Sequence, residues 1–334
     1  MPGKIIPPGA LLELTRLYGI SPAELAPLAT GNSLMPVFEY THSRRACILK
    51  VIPPNSEIDL SGLSSILDWM AYLAQSGGPV VAPVRSTRGN LVEVLEVQGR
   101  EWLVVSFEKA PGLLAERLAA EDWTDTLFRR LGQTLGRTHR LAGKYLPTRG
   151  ISVRPKWDQG DNCFHPLGEL ATVEPVIKEK YTRWLEVIQK LPKDEESYGL
   201  AHLDLHLANF LVDRQAGRFT FIDFDDCGYG WYVMDIAMLL FDVLVVYDRE
   251  DSRLLGKRFL HSFLTGYRQE KALSGFWVRQ LPVFLKLLEI GVYLDCNPPY
   301  NPETAGEWDR KYMPGRLERI LDEVPYVDLD FDHL

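Results

Sequence analysis

Five polar residues in the middle of the chain have the types and spacing that phosphoryl transfer requires. They are His202, Asp204, His206 and Asn209, with Asp223 fourteen residues after Asn209. Transfer of the terminal phosphoryl group of ATP to a hydroxyl needs a carboxylate that takes the hydroxyl proton and oxygen ligands that hold Mg²⁺. Asp204 suits the first role. Asn209, at the interval of an H-x-D-x-x-x-x-N loop, and Asp223 suit the second.

Two other interpretations of these residues compete with this one. His202, Asp204 and His206 alternate along the chain, as ligands of a hydrolytic zinc site sometimes do, and lone polar residues can also be satisfied groups in a buried turn. Neither alternative accounts for Asn209 and Asp223 together. We therefore favour phosphoryl transfer.

The elements around these residues must bring Asp223 back to Asn209. Leu211 and Val212 form a short apolar run, residues 213–217 read as a turn, and residues 218–222 have strand composition. The sequence therefore predicts a hairpin that places Asp223 beside Asn209.

The loop at residues 202–209, the Ile222-Asp223-Phe224 run and the segment 225–231 with the later Asp235 resemble the aminoglycoside phosphotransferase and choline kinase superfamily, near members related to type II homoserine kinases. The resemblance implies a two-lobed, protein-kinase-like α+β fold. Residues 1–109 would form a strand-rich nucleotide-binding lobe, and residues 110–334 a mainly helical catalytic and acceptor-binding lobe.

The same resemblance implies an ATP- and Mg²⁺-dependent enzyme. Its acceptor would be a hydroxyl of a small molecule such as an aminoglycoside, an amino alcohol, a homoserine-like compound or a sugar. Residues 154–158, Tyr247, Asp248 and residues 286–300 would supply the acceptor pocket. His202 and His206 would support Asp204 in catalysis, with His206 near the carboxylate.

Nucleotide binding is expected from two places in the first lobe. By resemblance, the turn with Asn32, Ser33 and Met35 lies over the ATP phosphates, and Lys50 binds them. Lys50 stands inside an apolar run of strand composition, where an unpartnered ammonium is costly to bury. The alternative is a solvent-facing lysine on an edge strand.

Related kinases pair this lysine with a glutamate on the following helix. The matching helix runs from about residue 63 to residue 73, and its glutamate position holds Ile66. Asp68 or Glu57 could substitute. If no partner exists, a noncatalytic ATP-binding protein becomes the alternative.

The strand at residues 101–107 leads to the predicted connection between the lobes. By resemblance, backbone groups of Ser106, Phe107 and Glu108 would read the adenine edge of ATP. In the second lobe, His139 is expected to be a hydrogen-bonded core residue behind the catalytic loop. Asp235, in an apolar helix, is expected to bind backbone amides of that loop.

Composition narrows the class of protein. The 334 residues carry a formal net charge of -8, which argues against a nucleic-acid partner. The apolar region 231–247 is interrupted by Asp235 and Asp242, seven residues apart on one helical face, so a buried helix is favoured over a membrane span. Four scattered cysteines and an N-terminus without a signal core favour the cytoplasm.

A protein serine/threonine kinase remains an alternative, since it would use the same catalytic residues. However, the chain lacks a clear D-F-G motif and an A-P-E element. The sequence predicts neither the individual acceptor nor the oligomeric state.

Overall fold

The computed structural model describes residues 6, 8–28, 35–54, 56, 58–159, 174–247, 251–296 and 300–334. The chain forms two compact units. The first contains Met1–Pro111 and Tyr145–Val153, and the second contains Gly112–Lys144 and Arg154–Leu334. The division lies close to residue 109, where the sequence places the end of the first lobe.

The first unit is built on one antiparallel sheet. Its five strands have the order β1-β2-β3-β5-β4, where β1 is Ala26–Leu28, β2 is Val37–His42, β3 is Arg45–Ile52, β4 is Val92–Val97 and β5 is Arg100–Glu108. Two helices complete the unit, α1 at Pro8–Tyr18 and α2 at Leu60–Gln75, with a short 3-10 turn at Pro22–Glu24.

The hairpin between β2 and β3 sets the position of Lys50. Its two loop residues, Ser43 and Arg44, both have positive φ angles, of 49° and 66°, as a two-residue type I′ turn requires. In the resulting register Lys50 is opposite Val37 on one side and Val105 on the other. Lys50 therefore lies on the middle strand, and the edge-strand alternative is wrong.

One face of this sheet packs on α1. Cys47, Leu49 and Val51 of β3 are buried in a core cluster with Leu14 and Tyr18 of the helix. Side chains alternate between the two faces of a strand, so Lys50 belongs to the opposite face.

Helix α2 begins where Asp59 caps it by accepting a hydrogen bond of 2.7 Å from the Gly62 amide. Its buried residues recur at helical spacing along one face, as expected for an amphipathic helix. They include Leu63, Ile66, Leu67, Trp69, Met70 and Leu73.

The second unit is mainly helical. Its strands are β6 Leu113–Leu114, β7 Tyr198–Ala201, β8 Phe210–Asp213, β9 Arg218–Phe221 and β10 Gly228–Trp231, which form the sheets β6-β8-β9 and β10-β7. Its helices are α3 Asp125–Ala142, α4 Pro175–Gln189, α5 Tyr232–Tyr247, α6 Ser252–Tyr267, α7 Gly275–Val278, α8 Leu281–Cys296, α9 Glu307–Tyr312 and α10 Arg316–Leu321. Single 3-10 turns occur at Ala115–Arg117, Ala120–Asp122 and Phe331–His333.

Helices α3 and α6 approach each other closely because glycine occupies the contact positions. A Cβ atom on Gly132 would lie 2.0 Å from the Phe263 carbonyl oxygen, and one on Gly266 would lie 1.8 Å from that of Arg129. Only hydrogen fits at either position, so the spacing of these two helices depends on both glycines.

Helix α5 is the buried centre of the second unit. All its residues from Tyr232 to Val245 are buried, including the carboxylates Asp235 and Asp242. The predicted buried helix is therefore confirmed. Among the residues that the structure describes, no helix combines the length and the apolar character needed to cross a membrane.

Candidate active site

The hairpin of β8 and β9 brings the two predicted metal ligands together. Phe210 pairs with Phe221, and one residue further out the Ile222 amide donates to the Asn209 carbonyl at 3.0 Å. The turn is stabilised by Asp213, whose carboxylate accepts hydrogen bonds from the amides of Gln215 and Ala216. The predicted hairpin is confirmed, and Asp223 directly follows the residue bonded to Asn209.

Asp235 fixes the start of the catalytic loop. Its carboxylate accepts hydrogen bonds from the amides of His202 at 3.0 Å and Leu203 at 2.8 Å, and a third from His139 Nε2 at 2.9 Å. Burial by itself raises the pKa of Asp235, but the hydrogen bond from His139 and its other donors hold that pKa below its usual range. The residue is thus a buried anion with three donors, as the sequence predicts.

His139 is a hydrogen-bonded core residue, in agreement with the sequence. Its Nε2 donates to Asp235, and its Nδ1 accepts from the Tyr267 hydroxyl at 2.8 Å. Burial lowers the pKa of His139, although the contact with Asp235 acts in the opposite direction. A neutral imidazole suits this fully buried position.

His202 supports the loop from inside. Its imidazole is buried, and Nε2 donates to the Ile222 carbonyl at 3.0 Å, on the strand that returns to Asp223. The ring also packs against Phe224. These contacts join the catalytic loop to the segment around Asp223, and they do not use the Asp204 carboxylate.

Leu203 has a left-handed backbone, with φ of 60°, a region that costs a leucine free energy and suits glycine. Its side chain is fully buried between β10 glycines: a Cβ on Gly228 or Gly230 would lie 3.2 or 2.8 Å from the Leu203 methyl carbons. The Leu203 side chain therefore fits at this position because Gly228 and Gly230 have no side chains.

Asp204 and Asn209 are joined directly. The Asn209 side-chain amide donates to the Asp204 carboxylate and to its main-chain oxygen, both at 2.8 Å. With its NH₂ group turned to Asp204, Asn209 keeps its side-chain oxygen for another ligand. Asp204 is partly exposed, as a group that receives a proton from a bound acceptor has to be.

His206 lies near the Asp204 carboxylate, as predicted. Its Nε2 is 3.6 Å from Asp204 Oδ2, and its Nδ1 accepts a bond of 3.2 Å from the Ala208 amide. Burial lowers the pKa of His206, but Asp204, followed by Asp242 and Asp223, outweighs it and raises that pKa to about 9. These carboxylates thus favour the protonated imidazole in the metal-free protein, a state in which Nδ1 gives up the bond that it accepts from Ala208.

The turn after Asp223 concentrates negative charge. Burial raises the pKa of Asp226 to about 7, and the carboxylates of Asp204, Asp225 and Asp223 act in the same direction. A cation bound here would relieve that repulsion. Asp226 is half-buried in this turn.

Arg154 supports this turn, a role that sequence reasoning missed. Its guanidinium donates to the carbonyls of Cys227 at 2.7 Å and Asp225 at 2.9 Å. The segment around Arg154 had been assigned to the acceptor pocket. This role cannot be read from the sequence, because only the fold shows that the arginine lies close to the acidic turn.

Other residues expected at the acceptor pocket also have structural contacts. The Tyr247 hydroxyl donates to the carbonyls of Ala115 and Leu118, and Lys286 is buried against Glu289. Asp248 lies outside the described residues. The acceptor pocket stays a prediction.

In the first unit, Asp68 is engaged away from Lys50. Its carboxylate accepts from the Tyr145 hydroxyl at 2.7 Å and from the amide and hydroxyl of Thr148 at 3.0 and 2.6 Å. Ile66 is buried in the core face of α2. Glu57 lies outside the described residues, as do Asn32 and Ser33 of the predicted phosphate turn, whereas Met35 is described and half-buried.

The predicted adenine-reading segment ends β5. Phe107 pairs with Ile48 across the sheet, the Ser106 carbonyl accepts from the Val84 amide at 2.8 Å, and the Glu108 amide donates to Ala82 at 2.9 Å. The buried Ser106 hydroxyl bonds to Tyr40 and to the Ile48 carbonyl. The adenine contact stays a prediction, and the Glu108 amide is already used within the unit.

The donor set fits a hard cation better than zinc. Asn209 and Asp223 offer amide and carboxylate oxygens, the ligands that Mg²⁺ and Ca²⁺ prefer. Within the described ranges, no group of three or more His, Cys, Asp or Glu side chains could hold a metal ion. His202 Nε2 donates to the Ile222 carbonyl and His206 Nδ1 accepts from the Ala208 amide, so one nitrogen of each ring is already used by the backbone, which argues against a zinc site.

Comparison with known proteins gives consistent results. The model of the phosphotransferase enzyme family matches residues 25–273. Amicoumacin kinase from Bacillus subtilis (strain 168) is 30% identical over 333 residues, which cover 97% of this chain and 95% of the relative. The match to the relative extends over nearly the whole chain, and the family model covers about three quarters of it.

Solved structures show the same fold. An amicoumacin kinase in complex with AMP-PNP, Ca²⁺ and Ami has a TM-score of 0.85 and 29% sequence identity, covering 98% of this chain and 97% of that one. The microcompartment-associated aminopropanol kinase has a TM-score of 0.69 and 24% identity, covering 94% and 97%. The predicted protein-kinase-like α+β class is confirmed.

Proposed function

Because the chain belongs to the phosphotransferase enzyme family, we propose that it transfers the γ-phosphoryl group of ATP, with Mg²⁺, to a hydroxyl of an amine-bearing acceptor of the amicoumacin type. That it is an ATP-dependent kinase of a small-molecule hydroxyl follows from its relatives. The observation that carries the acceptor class is the 30% identity to amicoumacin kinase over 97% of the chain.

Asp204 is the proposed base. It accepts the proton of the acceptor hydroxyl as that oxygen attacks the γ-phosphorus of ATP, the new O–P bond forms, and the bond to the β–γ bridging oxygen breaks to release ADP. The two hydrogen bonds from the Asn209 side chain, one to the carboxylate and one to the main-chain oxygen, hold Asp204 in place. Transfer is direct, and no covalent enzyme intermediate forms.

Asn209 and Asp223 are the proposed metal ligands. A divalent cation neutralises the charge of the phosphates, and Mg²⁺ is our choice because it pairs with one or two protein oxygens plus phosphate oxygens. The relative that binds AMP-PNP together with Ca²⁺ supports the use of a nucleotide and a divalent cation. Lys50 is proposed to bind the phosphates, and the turn with Asn32, Ser33 and Met35 to cover them.

The charge of the catalytic region supports an acceptor with an amine. Asp226 carries a pKa of about 7 because it is half-buried near three other carboxylates. A protonated amine placed near it would restore its ionised form and gain a charge-assisted hydrogen bond. A neutral sugar alcohol would gain neither.

We also propose that the protein is located in the cytoplasm, because its four cysteines are scattered along the chain.

The test is product formation with purified protein, ATP and MgCl₂. Amicoumacin, aminopropanol, spectinomycin, streptomycin and the neutral sugar alcohol sorbitol are compared, and mass spectrometry detects the added phosphoryl group. Asp204→Asn is the blank. We expect amicoumacin to give phosphorylated product at the highest kcat/KM. Faster phosphorylation of a neutral sugar alcohol would contradict the acceptor class, and full activity of Asp204→Asn would contradict the mechanism.

Replacing the metal tests the cation. We expect Mg²⁺ to support faster turnover than Ca²⁺, because the smaller ion holds the phosphates more rigidly. Asp223→Ala should raise the Mg²⁺ concentration needed for half-maximal activity. An unchanged Mg²⁺ requirement in that variant would remove Asp223 from the ligand set.

A further inference from the structure

A second buried carboxylate of α5, Asp242, binds the far end of the catalytic loop. It stands seven residues after Asp235, which places both on one face of the helix. Its Oδ2 accepts from the Leu207 amide at 2.8 Å, and its Oδ1 accepts from the Trp308 indole Nε1 at 2.6 Å. Only about 5% of Asp242 is exposed, so the carboxylate that makes both bonds is itself shielded from water.

The two carboxylates hold the loop at two points. Asp235 binds the amides of His202 and Leu203, before the proposed base, and Asp242 binds the Leu207 amide, after it. Two helical turns separate the carboxylates by roughly 10 Å along the axis. Asp204 lies between the two points, so its position is set by one rigid helix.

Trp308 comes from a part of the chain beyond residue 273, where the family match ends. It lies on α9, stacks on Tyr312 with ring centroids 5.0 Å apart, and is followed by Lys311, which donates to the Val246 carbonyl at 3.2 Å. The C-terminal segment thus docks on the end of α5. The Trp308 indole binds the Asp242 carboxylate, and that carboxylate in turn binds the catalytic loop.

We propose that Asp242 is a positioning residue for the catalytic loop and that Trp308, from the C-terminal segment, holds the Asp242 carboxylate in the orientation that binds Leu207. The proposal rests on the catalytic role of the loop stated above. A carboxylate with one donor on each oxygen has a single favourable orientation. Without the indole N–H, Oδ1 is left buried and without that donor, and the carboxylate is free to turn away from Leu207.

A displacement at Leu207 reaches the reacting groups over a short path. The Asn209 amide donates to the His206 carbonyl at 2.9 Å, and the Asn209 side chain holds Asp204. Small errors in the placement of a base lower the rate of the chemical step strongly while they leave nucleotide binding intact. A positioning role therefore predicts a loss in kcat without a change in the KM for ATP.

Trp308→Phe is the first variant, because it keeps an aromatic ring at this position and removes the indole N–H together with the five-membered part of the indole. We expect kcat to fall roughly 2- to 10-fold, the worth of one hydrogen bond, with an unchanged KM for ATP. Asp242→Asn has one acceptor oxygen for two donors, and its kcat should fall roughly 10- to 100-fold. The double variant should resemble Asp242→Asn alone, because the two residues act as a unit.

Tyr326→Phe is the matched control. The Tyr326 hydroxyl also joins the C-terminal segment to α5, through the Phe241 carbonyl at 3.1 Å, but that carbonyl makes no contact with the loop. Its removal should lower thermal stability and leave kcat unchanged. Equal losses of kcat in Trp308→Phe and Tyr326→Phe, or additive losses in the double variant, would overturn the proposal.

Two readouts separate this proposal from the proposed function. Turnover is measured with the acceptor and as basal ATP hydrolysis, with Asp204→Asn in parallel. If Asp204→Asn loses turnover and Trp308→Phe does not, only the positioning role fails.

The second readout, amide hydrogen exchange at Leu207, does not depend on activity. We expect faster exchange there in Trp308→Phe and wild-type exchange in Tyr326→Phe; unchanged protection in Trp308→Phe would overturn the role of the indole.

Discussion

Asn209 donates both of its side-chain hydrogen bonds to Asp204, one to the carboxylate and one to the main-chain oxygen of that residue, each at 2.8 Å. The proposed metal ligand and the proposed base are therefore held as one unit. An amide can do this and still present its oxygen to a cation, whereas a carboxylate has no hydrogen to donate. The choice of asparagine at this position follows from that double demand.

Asn209→Asp should therefore be far more damaging than its small change in size indicates. The side-chain NH₂ group, which donates both hydrogen bonds, becomes an oxygen that can only accept, and a second negative charge faces Asp204. The loss of charge-assisted hydrogen bonds, about 3 kcal/mol, corresponds to roughly a 100-fold lower kcat/KM, measured by steady-state kinetics with the best acceptor. Asn301→Asp is the matched control, because the Asn301 side chain accepts a hydrogen bond from the Glu303 amide through its oxygen, which aspartate keeps. Near-normal activity of Asn209→Asp would refute the coupling.

Leu203 offers a test of backbone strain. With φ of 60°, its backbone favours glycine over alanine by about 1 kcal/mol, whereas an ordinary φ favours alanine by roughly that amount. Both small residues also lose the burial of the leucine side chain, roughly 2–5 kcal/mol. We expect both variants to be destabilised, with Leu203→Gly more stable than Leu203→Ala in urea unfolding.

Leu205 supplies the comparison, because it is equally buried and its φ is not positive. Leu205→Ala should be more stable than Leu205→Gly, the reverse of the order at residue 203. The same order at both positions would mean that the left-handed backbone at Leu203 carries no cost.

The charge of His206 predicts how stability depends on pH in the metal-free protein. Its pKa rises from an ordinary 6.5 to about 9, because Asp204, Asp242 and Asp223 outweigh the effect of burial. The folded state thus binds this proton more tightly than the unfolded state. The resulting stabilisation is complete below pH 6.5 and is lost as the pH rises to about 9.

Thermal unfolding in EDTA between pH 6 and pH 10 measures this loss. Replacement of His206 by asparagine should lower the Tm at pH 6 and flatten the decline toward pH 9. His261→Asn, at an exposed position of α6, should keep the wild-type slope. A wild-type slope in His206→Asn would show that the imidazole does not carry the charge. The bond from Ala208 to Nδ1 opposes protonation, but one neutral hydrogen bond is worth only about 1 kcal/mol.

Lys50 and Asp68 should respond differently to substitution. Lys50→Met removes the proposed phosphate ligand and should lower kcat/KM for ATP roughly 100-fold, the worth of a charge-assisted contact. Asp68 bonds to Tyr145 and Thr148, so Asp68→Asn should cost roughly 1–3 kcal/mol of stability and leave the KM for ATP unchanged. A raised KM for ATP in Asp68→Asn would restore it as the partner of Lys50.

Several features of the fold followed from local sequence patterns. The apolar and turn residues of 211–222 predicted the hairpin, and the helical spacing of Asp235 and Asp242 predicted a buried helix with two carboxylates on one face. Such patterns are readable because the period of a strand or helix is set by its own backbone. The sequence pattern also indicated the strand that carries Lys50, but it did not show that this strand lies in the middle of the sheet.

The sequence by itself predicted the chemistry: a proposed base, two proposed oxygen ligands and a loop whose spacing suits phosphoryl transfer. Only the tertiary structure decided what holds them, since the supporting contacts join residues far apart in the chain. Asp242 meets Trp308 across 66 positions, and Arg154 meets Cys227 across 73. No local pattern encodes such a pair, because its partners are chosen by how the helices pack and by the need of each buried polar group for a hydrogen bond.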